Sequence, residues 1–315
     1  MAVIVICEFM DEDAIKGILA GHDLLYDAAL VDRRADLLAA LADARALIVR
    51  NRTQVNAELL AKAPKLQAVG RLGVGLDNID VAACKARGIA VYPATGANDV
   101  SVVEYVIAAM LTLLRGAYNA TAAVIDGKWP RTALIGGREA NGKTLGVVGF
   151  GAIGRKVAAV AAALGMTVCA YDPQIAVGDA IWSQPWGKVT GLDLDNLLLE
   201  SDVVSLHVPL TDATRNMFDR GAITRMKRGA ILINAARGGV IDEAAVADAL
   251  RSSALGGAAL DVFEQEPLSK EHAQVFSGCP NLILTPHIAG LTVEANTRVS
   301  TMVAEKIRDH LAGGR

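Results

Sequence analysis

The chain has 315 residues, long enough for two domains, and its 52% apolar content with only 4% aromatics excludes a disordered or collagen-like polymer. A formal net charge of −3, with both signs interspersed, leaves no electrostatic footprint for nucleic acid. Cys7, Cys84, Cys169 and Cys279 are widely spaced without a CxxC pair, which fits the reduced cytoplasm and no metal site.

The apolar start, residues 1–9, lacks a basic flank and runs into Glu8, Asp11, Glu12 and Asp13, so it reads as a first strand rather than a signal segment. No uninterrupted apolar run approaches the ~18 residues of a membrane span. Strands are predicted at Val3–Cys7, Asp23–Tyr26, Leu47–Arg50, Ala68–Arg71 and Ala90–Tyr92, alternating with helical patterns at Asp11–Leu19, Ala35–Leu41, Ala57–Ala61 and Val81–Ala86. A long helix follows over Val100–Leu114, capped by Asn98 or Asp99 and apolar almost all round, as expected of a helix between two domains or subunits. A second set of strands is predicted at Leu145–Val148, Thr167–Tyr171, Val203–His207, Ala230–Ile233, Gly257–Leu260 and Leu282–Leu284. Between them, Pro173–Leu192 has no periodicity and reads as an irregular loop. The helical tail Val293–Leu311 is expected to return to the first domain. Strand–helix alternation throughout is the pattern of parallel α/β architecture.

The strongest motif is Gly149-Phe150-Gly151-Ala152-Ile153-Gly154. Alone, a G-x-G-x-x-G is weak. Here it follows an apolar strand, opens a helix, and is followed about 20 residues later by Asp172 at the next strand end, which is the dinucleotide fingerprint. Gly149 permits the turn, Gly151 lets a pyrophosphate approach the backbone, and Gly154 lets helix and strand pack closely. The helix N-terminus, including Ala152 and Ile153, offers amides to the phosphates. Asp172 can accept both ribose hydroxyls and repel a 2′-phosphate, which favours NAD over NADP. Gly73-Val74-Gly75 also follows a strand but lacks the third glycine, and reads as a tight loop with exposed amides.

Further polar groups gather at strand ends, the edge where open α/β sheets bind ligands. They lie in Asn234-Ala235-Ala236-Arg237-Gly238-Gly239, Leu260-Asp261-Val262-Phe263, Glu264-Gln265-Glu266-Pro267 and Thr285-Pro286-His287-Ile288-Ala289-Gly290. With these, with residues 71–80, with Gly96-Ala97-Asn98 ahead of Glu104, and with His207-Val208-Pro209-Leu210-Thr211, the whole chain resembles the D-isomer-specific 2-hydroxyacid dehydrogenases. The resemblance implies a hydride moved between NAD and C2 of a small 2-hydroxy/2-oxo acid. Arg237 grips the carboxylate and polarises the carbonyl. His287 is the acid–base, and Glu266 orients it and favours its charged form. His207, Pro209, Ala235, Ala236, Asp261 and Gly290 line the cofactor, with Asp261 by the nicotinamide. Amides of Leu72, Gly73, Val74 and Gly75 hold the substrate carboxylate.

The expected fold is therefore α/β with two doubly wound domains: a Rossmann NAD-binding domain, 99–288, inserted into a flavodoxin-like substrate domain, 1–98 with 289–315. A homodimer is implied. Arg50-Asn51-Arg52-Thr53, at an early strand end, is similar to the R-x-R-T of some phosphoglycerate dehydrogenases, and Arg50 and Arg52 suit a second anionic group, as in 3-phosphoglycerate or sulfolactate. The chain stops soon after the return helix, without the regulatory C-terminal domain of many phosphoglycerate dehydrogenases. A glyoxylate/hydroxypyruvate reductase is the alternative within the family, and a non-catalytic NAD-sensing scaffold the alternative outside enzymes. Glu266, where formate dehydrogenase has Gln, points to proton transfer.

Overall fold

The computed structural model describes residues 3–176 and 178–313. The chain forms two compact units, Met1–Asp99 with Leu291–Arg315, and Val100–Gly290.

The first unit is built on five parallel strands: β1 (Val3–Ile6), β2 (Asp23–Tyr26), β3 (Ala44–Val49), β4 (Ala68–Arg71) and β5 (Ala90–Pro93). Their order, β2-β1-β3-β4-β5, is that of flavodoxin. Strands such as Ala44–Val49 are apolar on both faces because helices cover both sides of the sheet. Leu37, Leu41, Leu59, Leu60 and Cys84 fill one side. Ile15, Leu19 and the return helix Val293–Leu311 fill the other, through Val299, Val303 and Ile307. That helix comes close to the sheet at Gly70, where a Cβ would lie 2.5 Å from Val303 Cγ1. The helix expected over Asp11–Leu19 is only Glu12–Ile15, since Gly17 lowers helix propensity.

The second unit has β6 (Thr144–Val148), β7 (Thr167–Tyr171), β8 (Ser183–Gln184), β9 (Gly187–Lys188), β10 (Thr190–Gly191), β11 (Val203–Leu206), β12 (Ala230–Asn234), β13 (Leu255–Leu260) and β14 (Leu282–Leu284). Seven of these form a parallel sheet ordered β10-β7-β6-β11-β12-β13-β14, the Rossmann order with a seventh strand at one edge. Winding reverses between β6 and β11, which opens a crevice beyond their C-terminal ends.

Pro173–Leu192 is thus not wholly irregular. It holds a 3₁₀ turn at Ala180–Trp182, the β8–β9 hairpin and the edge strand β10. Two-residue strands carry no readable period. Tertiary packing places them: Trp182 is buried, 5.2 Å from the Phe150 ring, and its indole N–H donates to the Ala176 carbonyl at 2.9 Å. The long helix, Asp99–Arg115, spends its apolar surface inside this unit, where Val103, Val106, Met110 and Leu113 join Val147, Val157 and Ile231 in one core. Among the described residues, no single helix is long and apolar enough to cross a membrane.

Candidate active site

The turn after β6 has the geometry a dinucleotide requires. Gly149 sits at φ +93°, and a Cβ on it would meet the His207 carbonyl oxygen at 2.5 Å. Gly154 packs so closely that a Cβ would lie 2.2 Å from the Gly149 oxygen. Gly151 differs: a Cβ there would meet nothing within 4 Å, so the space over this backbone is open. Gly151 is also the N-cap of the helix Ala152–Ala163, and no side chain caps that end. Ala152 is exposed and Ile153 half-buried at the same end. An open cradle above uncapped amides fits a pyrophosphate.

Asp172, half-buried at the end of β7, accepts from the amide of Phe150 and from that of Gln174, each at 3.0 Å. Its carboxylate therefore ties the glycine turn to the neighbouring strand. Across the switch point, His207 bonds through Nε2 to the Ser205 hydroxyl at 2.9 Å. Part of the residue remains accessible, but burial of the ring pushes its pKa down to about 4, so the imidazole is neutral at neutral pH. Pro209 is exposed, and its carbonyl accepts from Thr214.

Arg237, Glu266 and His287 come together at the ends of β12, β13 and β14. His287 Nδ1 lies 2.7 Å from Glu266 Oε2. A carboxylate can only accept, so Nδ1 carries the proton and donates, which leaves Nε2 as the other working atom of the ring. Glu266 Oε1 accepts from the Phe263 amide at 3.0 Å. Burial pushes the Glu266 carboxyl up. The bonds from His287 and Phe263, with the charges of His287 and Arg237, outweigh that and hold it below the ordinary range. The side chains of His287 and Glu266 are 35% and 29% exposed, so the pair is reachable by a small molecule.

The backbone under these groups is held by residues of the same strand-end segments. Asn234, fully buried at the end of β12, accepts from the Ala236 amide at 3.0 Å and donates to the Arg237 carbonyl at 2.9 Å. This shapes the loop through Ala235, Ala236 and Arg237. Gly238 lets the loop lie against the next one, because a Cβ on it would fall 1.7 Å from the Phe263 oxygen. Asp261, also buried, accepts from the amides of Ile288 and Ala289, each at 2.8 Å, and from the Thr285 hydroxyl at 2.6 Å. Its own carbonyl accepts from the His287 amide at 2.8 Å. Asp261 is thus the anchor of the loop running to Gly290. His287 occupies the left-handed region there, at φ +56°, an uncommon conformation for a residue with a Cβ.

In the first unit, the Arg50–Thr53 segment is equally well built. Glu8, buried just after β1, accepts from the amides of Arg50, Arg52 and Thr53, while Asn78 donates to the carbonyls of Arg50 and Thr53. The Arg50 guanidinium bonds Asn296 Oδ1 at 3.1 Å and lies over the Phe9 ring. Arg52 is exposed and pairs with Asp32. The loop after β4 corrects one expectation: the amides of Leu72 and Gly73 are not exposed, but donate to the carbonyls of Val49 and Arg71 at 2.8 Å. The Arg71 side chain folds over Gly73, occupying the place of a Cβ. Val74 and Gly75 are the amides of this run not committed to a bond among the described residues.

Residues 107–289 match the family described as D-isomer specific 2-hydroxyacid dehydrogenase, NAD binding domain. The chain belongs to that family. The dehydrogenase is 52% identical to the (S)-sulfolactate dehydrogenase of Chromohalobacter salexigens, over 98% of each chain. It is 42% identical to the hydroxypyruvate reductase of Thermotoga maritima, over 95% of its own length and 94% of that protein. D-3-phosphoglycerate dehydrogenase of Synechocystis is 39% identical, and the chain spans about half its length. Among solved structures, D-lactate dehydrogenase of Aquifex aeolicus with NAD and lactic acid superposes with a TM-score of 0.83, at 29% identity over 99% of this chain and 96% of that one. The enzyme is an NAD-dependent oxidoreductase of 2-hydroxy acids, with two Rossmann-like units.

Proposed function

We propose that this dehydrogenase interconverts a D-configured 2-hydroxy acid carrying a second anionic group and its 2-oxo acid, with sulfolactate as the leading substrate. The observation that carries the chemistry is the 2.7 Å bond between Glu266 and His287, with Arg237 close enough for its charge to lower the Glu266 pKa. Residues 99–288 act as the cofactor domain. The amides of Gly151, Ala152, Ile153 and Gly154 hold the pyrophosphate, Asp172 holds the adenosine ribose, and His207, Pro209, Ala235, Ala236, Asp261 and Gly290 lie along the rest. A nicotinamide held there would supply or take up the hydride. In oxidation, His287 Nε2 takes the proton of the C2 hydroxyl while C2 loses its hydrogen with the bonding pair. In reduction the same nitrogen returns the proton to the forming alkoxide. Glu266 fixes the tautomer and offsets the charge that His287 gains. Arg237 binds the C1 carboxylate and the C2 oxygen, where negative charge develops.

Residues 1–98 with 289–315 act as the substrate domain. Two observations favour a second anion: the rigid arginine-bearing loop held by Glu8 and Asn78, and the 52% identity to a protein named for sulfolactate. Arg50 and Arg52 bind the distal group, while amides in the 72–75 loop, chiefly Val74 and Gly75, assist at C1. The Arg52–Asp32 pair is exposed and screened by solvent, so a dianionic ligand can displace Asp32. Sulfur outranks the carboxyl oxygens in stereochemical naming, so the (S) label of sulfolactate describes the arrangement at C2 that D-lactate has. The enzyme is cytoplasmic and homodimeric in this reading. Tyr118, Ile125, Trp129 and Ile135, each more than two-thirds exposed, support the dimer better than the buried helix Asp99–Arg115 does.

The test is a screen at 340 nm with NADH and 2-oxo acids bearing sulfonate, phosphate, carboxylate or no second charge, repeated with Arg52→Ala. Selective loss on the dianions supports the reading. Equal loss on pyruvate removes the second-anion site, and preference for hydroxypyruvate or glyoxylate favours the reductase alternative.

A further inference from the structure

The proposed mechanism leaves two half-buried hydroxyls unused. Tyr105, on the helix Asp99–Arg115, lies with its phenol oxygen 2.6 Å from Thr285 Oγ1, and Thr285 Oγ1 lies 2.6 Å from Asp261 Oδ1. The direction of this chain follows from donor counting. An ionised carboxylate only accepts, so the single Thr285 hydroxyl proton points to Asp261, and Thr285 must accept from Tyr105. Burial raises the Tyr105 pKa, which keeps the phenol protonated as the terminal donor.

Asp261 receives this chain on the same oxygen that accepts the Ile288 amide, while its other oxygen accepts the Ala289 amide and its carbonyl accepts the His287 amide. Three consecutive backbone N–H groups therefore converge on one residue. They do so with His287 in the left-handed backbone region, which persists only where surrounding bonds over-determine it. The orientation of the Asp261 carboxylate sets the direction in which the His287 ring leaves the backbone toward Glu266. The Thr285 hydroxyl, itself held by Tyr105, adds a third donor to that carboxylate beside the Ile288 and Ala289 amides.

We infer that Tyr105 and Thr285 are positioning residues for the acid–base His287, acting in series through the Asp261 carboxylate. This rests on the proposal that His287 carries the proton. Loss of the Thr285 hydroxyl leaves one Asp261 lone pair without its donor and lets the carboxylate turn. The pair His287–Glu266 then spends less time in its working geometry, while the glycine turn that binds the cofactor is untouched.

The experiment uses the full chain with Thr285→Val, Thr285→Ser, Tyr105→Phe and the double variant Tyr105→Phe/Thr285→Val, measured for kcat, substrate KM, NADH affinity by fluorescence titration, and Tm. Thr285→Val is expected to lower kcat about tenfold, the scale of one charge-assisted hydrogen bond, with NADH affinity changed less than kcat and Thr285→Ser restoring most of the rate. Tyr105→Phe is expected to lower kcat about threefold alone, and not at all in the Thr285→Val background, because the chain is already cut. Unchanged kcat in Thr285→Val, even with a lower Tm, overturns the inference, as does a full additive loss in the double variant. His287→Ala serves as reference. If that variant retains turnover, the function reading itself fails. If it is inactive while the hydroxyl variants match wild type, only the positioning role fails.

Discussion

Gly238→Ala isolates how tightly two loops must meet for the chemistry to work. Gly238 does not have positive φ, so its requirement is steric rather than conformational. A methyl at this position would lie 1.7 Å from the Phe263 carbonyl oxygen and 2.1 Å from its carbon, about half the 3.4 Å where ordinary van der Waals contact begins. Both obstructing atoms are backbone, so no side chain can swing away. The Arg237 loop or the Phe263–Glu266 loop must retreat by about 1.7 Å. Phe263 donates its amide to Glu266, and Glu266 holds His287, so the retreat changes the spacing between Arg237 and the whole acid–base pair. A displacement of about 1 Å can cost on the order of 10²-fold in rate, and overpacking costs about 1–3 kcal/mol of stability. We expect kcat/KM at saturating NADH to fall at least about a hundredfold, with NADH affinity within a few-fold of wild type and a measurably lower Tm. The assay is nicotinamide absorbance at 340 nm beside fluorescence titration of NADH. Wild-type turnover in a folded Gly238→Ala protein would refute the claim that this backbone contact sets the site.

His287→Ala should reduce turnover by roughly 10²–10⁴-fold, the usual loss for an acid–base group, while stopped-flow titration still shows NADH binding. Asp172→Ala should weaken NAD and narrow its advantage over NADP in competition assays, since the repelling carboxylate and its bonds to Phe150 and Gln174 vanish together. For His207, the folded pKa of about 4 lies below the unfolded 6.5, so the unfolded chain binds the extra proton between those values. Stability is therefore fully present above about pH 6.5 and declines as pH falls toward 4, by at most about 3 kcal/mol. The drop in Tm between pH 7 and pH 5 should shrink in His207→Gln, and an identical drop would contradict the desolvation assigned to that ring. Trp129→Ser should shift sedimentation from dimer toward monomer, and an unchanged sedimentation coefficient would move the proposed interface elsewhere.

Local sequence determined the parts of this protein that repeat short rules. The apolar strands and the glycine turn 149–154 each follow from a few neighbouring residues. The family motif also named Arg237, Glu266 and His287 without any coordinates. Tertiary structure alone decided what holds them, and what holds the Arg50–Thr53 loop of the other unit. Glu8, Asn234 and Asp261 each follow an apolar strand or end one, and a polar residue there was the available signal. Which backbone amides they would collect could not be read from that position, because the partners lie up to 45 residues away along the chain. The same limit hid β10, whose two residues carry no period and pair only because β7 offers an open edge, and Tyr105, which looked like one more apolar helix position until Thr285 came within 2.6 Å. Periodicity and capping are local energies, legible over a turn or two. The satisfaction of a buried carboxylate or amide is decided by whatever the fold brings beside it.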